Sequence, residues 1–80
     1  MRVITHKRNK DGCETIDVVE NGKLAQRIID DGRLIEWFDD LGRRTHVYDV
    51  KDHYERLYEY KGDTDIVSRI KDSDGRDYRY

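Results

Sequence analysis

Apolar and β-favouring residues come in short runs along this chain, each closed by a polar cluster carrying glycine. Glycines fall at 12, 22, 32, 42 and 62, and the slot at 52 holds Asp. After Gly62 the ten-residue period breaks, and the next glycine is Gly75. Most of these glycines follow a turn former: Asp11-Gly12, Asn21-Gly22, Asp31-Gly32 and Asp74-Gly75. Such pairs supply the positive φ angles that tight hairpin turns need. Regular turns separated by strand-length runs predict an all-β antiparallel meander. The expected strands are 2–7, 14–20, 23–29, 33–38, 44–50, 54–60, 66–71 and 76–80, in one domain over 1–80 and in a curved or partly closed sheet.

Counting in twos places Leu24 with Ile28, Leu34 with Phe38, Ile66 with Ile70, and Tyr54 with Tyr58 and Tyr60. The opposite positions are also apolar: Ala25 and Ile29, Ile35 and Trp37, Leu57, Val67. A sheet with one wet face alternates more cleanly than this. The second face is therefore expected to be covered, by curling of the sheet, by another copy or by a partner. A helical alternative competes in two places. Leu34, Ile35, Trp37, Phe38 and Leu41 fit a helical stripe ending at Gly42, and Val50, Tyr54, Leu57 and Tyr58 fit one ending at Gly62. That alternative is an α+β fold with helices near 33–41 and 50–60. The glycine period and the tyrosine content favour strands.

Composition changes the picture in one respect. Charged residues make up 42% of the chain and hydrophobic residues 35%, a balance that leans toward disorder. Against it stand the absence of proline and the presence of seven Ile, six Val and six Tyr, all β-formers. Eighty residues bury little surface, so stability is expected to be marginal. Sixteen basic and 18 acidic residues give a net charge of −2, with the signs interspersed. That pattern carries no electrostatic argument for nucleic acid or a membrane. Cys13 is alone, so no intrachain disulfide is possible, and no apolar segment reads as a signal core or a membrane span. A cytoplasmic location is the resulting expectation.

The stretch Gly32-Arg33-Leu34, then Asp39-Asp40-Leu41-Gly42-Arg43, then Thr45 and Tyr48-Asp49 resembles one tyrosine-aspartate (YD) repeat of Rhs-type proteins. A degenerate second copy has Asp52 at the glycine slot, Leu57-Tyr58-Glu59-Tyr60-Lys61-Gly62, the turn Asp72-Ser73-Asp74-Gly75-Arg76 and the end Tyr78-Arg79-Tyr80. The resemblance covers 31–80. It implies a short strip of hairpins. In the family, long arrays wind into a shell enclosing a cargo, often a toxin, and a strip this short does not carry that enclosing role. The residue chemistry stands beside the resemblance. Asp before the turn accepts backbone N–H bonds, and Arg after it lays its stem over an aromatic ring.

Candidate chemistry is sparse. His6, His46, His53 and Cys13 lack the spacing of zinc ligands. Asp63-Thr64-Asp65 and Asp72-Ser73-Asp74-Gly75 lack the glutamate that completes a helix–loop–helix calcium site. No nucleophile elbow or phosphate loop is present, and Glu36, Glu55 and Glu59 read as surface charge. No enzyme activity, cofactor, metal or small-molecule substrate is expected. The informative residues are Trp37, Tyr54, Arg56, Tyr58, Tyr60, Tyr78 and Tyr80, because clustered tyrosine and arginine typify protein interfaces. The leading expectation is a non-enzymatic interaction module, self-associating as a homo-oligomer or binding another protein. A second is a small inhibitor or accessory protein of a mobile element or phage that binds a larger macromolecule. A third is single-stranded nucleic-acid binding by the Tyr/Arg strands, which the net negative charge disfavours. The competing plain reading is that the tyrosines form the core of a core-poor sheet.

Overall fold

Each polar cluster reverses the chain, and each run between clusters pairs with the run before it. The computed structural model describes all 80 residues. They form β1 (Arg2–Arg8), β2 (Glu14–Glu20), β3 (Lys23–Ile29), β4 (Leu34–Phe38), β5 (Arg44–Asp49), β6 (Tyr54–Tyr60), β7 (Val67–Asp72) and β8 (Asp77–Arg79). All eight lie in one antiparallel sheet in sequence order. The expected meander is what forms. The helical alternative is overturned, since 33–41 contains β4 and 50–60 contains β6. In both segments the backbone groups that a helix would use internally are spent on neighbouring strands.

The turns explain why. Asn9, Asp39 and Asp72 begin three equivalent loops. In each, the side-chain Oδ1 accepts the N–H groups of the residues two and four positions on, at 2.9–3.1 Å. The carbonyl of the same residue accepts the N–H of Gly12, Gly42 or Gly75. An Asx-turn thus nucleates each reversal. Only Asn21-Gly22 forms the two-residue hairpin expected of such pairs, with φ of 53° and 79°. At the degenerate slot the left-handed conformation falls on His53 rather than on Asp52, at φ 51°.

The sheet is a single open layer. Strands touch only their neighbours in sequence, and the molecule measures 37 × 31 × 19 Å. Val18, at 9% exposure, is the one buried residue. With so little core, stability comes from strand-to-strand pairs, in the manner of a repeat protein whose units touch only adjacent units. Its two edges are blunted. β1 carries Arg2, Lys7 and Arg8 and is exposed throughout, while β8 is three residues long.

Three bulges alter which side chains share a face. They put Ala25, Thr45 and Ser68 out of register in the β2–β3, β4–β5 and β6–β7 pairs. Leu24 pairs with Val19 while Ile28 pairs with Ile16, so Leu24 and Ile28 lie on opposite faces, contrary to expectation. Val67 opposite Tyr60 shares the face of Ile70 opposite Tyr58, again reversing the expectation. One extra residue in a strand inverts the parity of everything beyond it.

Candidate functional site

The register sorts the side chains into two unlike faces. One is built around a ladder of charge. Asp17, Arg27, Glu36, Val47, Arg56 and Asp72 follow one another across six strands. Arg27 Nε donates to Asp17 at 2.8 Å, and Arg44 Nη1 to Glu36 at 2.9 Å. The hydrogen bond to Asp17 holds the Arg27 guanidinium more firmly protonated.

Three arginines cover three tyrosines on this face. Arg43 sits 4.6 Å from the Tyr60 ring centre, Arg44 5.1 Å from Tyr58 and Arg56 5.7 Å from Tyr54. These are cation–π distances. Tyr54 Oη donates to Asp72 at 2.9 Å and accepts from Arg56 Nη2 at 3.0 Å. Tyr60 Oη donates to the Arg44 carbonyl, and burial pushes its phenol up. Arg43 does more than stack. Its Nε bonds Asp39 at 2.8 Å, and its Nη1 donates to the Gly62 and Thr64 carbonyls at 2.7 and 2.8 Å. It therefore fastens the β4–β5 turn to the loop that precedes β7.

The other face has two apolar rows side by side. Ile4, Val18, Gln26, Trp37, His46 and Leu57 form one, and His6, Ile16, Ile28, Ile35 and Tyr48 the next. Trp37 stacks on His46 with ring centres 4.4 Å apart and planes 20° from parallel. His46 Nε2 lies 3.3 Å from Glu55 but is not aligned for a hydrogen bond. Charge returns at the margins, as Arg2–Glu20, His6–Glu14, Arg69–Glu59 and Arg69–Asp77 pairs. A shallow depression of about 570 Å³ lies here, lined in part by Trp37, His46, Leu57, Arg69 and Lys71.

The residues singled out in the sequence thus divide. Tyr54, Arg56, Tyr58 and Tyr60 gather on the ladder face, joined by Tyr78 opposite Ile70. Tyr80 lies past β8 and is 67% exposed. Trp37 occupies the opposite face. Arg43, Arg44, Asp39 and His46 complete the arrangement and were missed as individuals. The Gly42-Arg43-Arg44 run was the available signal, because an arginine after a turn glycine lies over a neighbouring ring. Cys13 and His6 sit near one end of the sheet, and no three His, Cys, Asp or Glu side chains converge as metal ligands. No helix is long and apolar enough to cross a membrane.

Three carboxylates titrate abnormally. Desolvation pushes the carboxyls of Asp39 and Asp72 up, but accepted backbone N–H bonds and, respectively, the Arg43 guanidinium and the Tyr54 hydroxyl outweigh it and hold both low. The Arg69 hydrogen bond lowers Asp77. Folded values below unfolded ones add stability at neutral pH that disappears as the pH falls through the folded values. The melting temperature is expected to hold from neutrality down to about pH 5 and to drop progressively below about pH 4. A melting series that stays flat to about pH 2 contradicts this assignment.

No family model, curated protein or solved structure matches this chain.

Proposed function

We propose that this chain is a non-enzymatic protein-interaction module, a short strip of YD-like β-hairpins that works through its sheet faces. The observation that carries this reading is the single open layer. Apolar residues occupy both faces, and one residue in the whole chain is buried. A sheet of this kind leaves apolar surface for another macromolecule to cover. The shared Asx-turn geometry at Asp39 and Asp72 supports the repeat character.

Immobilised chain is expected to bind a protein saturably, either its own kind or another. Substituting Trp37 on one face or Tyr58 on the other is expected to weaken binding through the face it occupies by about tenfold or more, beyond any change in thermal stability. Surface plasmon resonance with parallel melting curves measures both. If the substitutions alter stability alone, these side chains are core and the reading fails.

A further inference from the structure

We infer that the tryptophan face is the contact surface between two copies of this chain, packed face to face about a two-fold axis. The inference rests on the interaction reading above and specifies its surface and its partner.

The two faces differ in what already covers them. On the ladder face, arginines lie over Tyr54, Tyr58 and Tyr60, and ion pairs run across the centre. Those groups are satisfied in the single chain, and stripping water from a row of charges is costly. The tryptophan face is covered less: no arginine lies over an aromatic ring there, and apart from Glu55 beside His46 its ion pairs stand at the margins. Its central rows are aliphatic and aromatic except for Gln26, with Ile4 52% and Leu57 43% exposed, much as Val3 and Tyr78 are on the ladder face at 47% and 44%. Apolar centre and charged margin together are the anatomy of an interface.

Size, charge and shape point to a second copy as the occupant. The sheet spans 37 × 31 Å, so one face offers on the order of 1,000 Å², enough for the roughly 800 Å² per partner of a standard interface. Each copy carries a net charge of −2, so like repels like only weakly. The margin pairs, Arg2 with Glu20 and Arg69 with Glu59, are satisfied within each chain, so the rim brings no unpaired charge to the contact. Two sheets with the same twist pack aligned, about 10 Å apart, with their inner side chains interleaved. The edges are poor alternatives, since β1 is charged and β8 is short. The product is a sandwich with the two tryptophan faces inside and the two ladder faces outside.

Adjacent positions on one strand test this. Val3 and Ile4 have similar exposure, 47% and 52%, but face opposite sides of β1. Sedimentation equilibrium of the full chain across the micromolar range is expected to show a monomer–dimer equilibrium. The emission of Trp37, the sole tryptophan, is expected to shift to the blue as dimer forms. Ile4→Glu and Leu57→Glu are expected to weaken dimerisation by about tenfold or more, each acting twice across the axis. Val3→Glu is expected to leave it within about twofold, as a change outside an interface does. Circular dichroism confirms that each variant keeps its strands, and two tryptophan-face variants guard against the misfolding of one. A strict monomer with unshifted emission overturns the inference, as does Val3→Glu acting as strongly as Ile4→Glu. A monomer that still binds another protein through Trp37 or Tyr58 overturns the dimer while leaving the interaction reading intact.

Discussion

Replacing Asp39 with alanine is expected to destabilise the fold by about 2 kcal/mol, the scale of charged hydrogen bonds left unmade. For a domain this small that lowers the melting temperature by roughly 8–16 °C. The size of the effect follows from how many groups converge on one carboxylate. Its Oδ1 accepts the N–H of Leu41 at 3.0 Å and of Arg43 at 3.0 Å, and its Oδ2 pairs with Arg43 Nε at 2.8 Å. Arg43 in turn stacks on Tyr60 and holds the carbonyls of Gly62 and Thr64. Losing Asp39 therefore loosens the β4–β5 turn and frees the arginine that ties it to the next hairpin. Asparagine separates the two contributions. Asn9 runs the same turn with a neutral side chain, so Asp39→Asn is expected to keep the turn and lose the ion pair, costing about 1 kcal/mol or less. Urea denaturation of both variants checks the order. Equal losses would mean that the turn contributes nothing beyond the salt bridge.

The second large effect is expected at Trp37. Core Trp→Ala substitutions cost about 3–5 kcal/mol, and a half-buried ring on an open sheet is expected to cost about 2 kcal/mol. Trp37→Ala removes the stack on His46 and the middle of an apolar row linking β1 to β6. Trp37→Phe keeps an aromatic plane against His46 and is expected to recover about half of the loss. Urea titration followed by far-UV circular dichroism suits both, because the fluorophore is gone. If Trp37→Ala proves neutral at every protein concentration, the tryptophan is neither packing residue nor contact, and the assignment of that face collapses.

Much of this architecture was legible in local sequence. Strand positions came out to within a residue or two, because Asn9, Asp39 and Asp72 each stand three residues before a glycine and encode their own reversals. The faces were less legible. Counting by twos placed Tyr54, Tyr58 and Tyr60 together correctly, but it put Leu24 beside Ile28 and Val67 opposite Ile70. A bulge of one residue leaves no mark in an apolar pattern that runs through both faces. The arginine covering was legible as a type of contact, and its partners were not, since Arg43 reaches Gly62 and Thr64 across a whole strand.

The sequence by itself determined the turns, the strands and their order, because each depends on a few neighbouring residues and each strand pairs with the next. The tertiary structure alone decided that the sheet stays one open layer and that Trp37 lies on the face opposite Tyr54, Tyr58 and Tyr60. The same structure set the arginines over Tyr54, Tyr58 and Tyr60 and stacked Trp37 on His46 on the other face. Those outcomes depend on bulge parity and on contacts between residues distant in the chain, which alternation within a single strand does not encode.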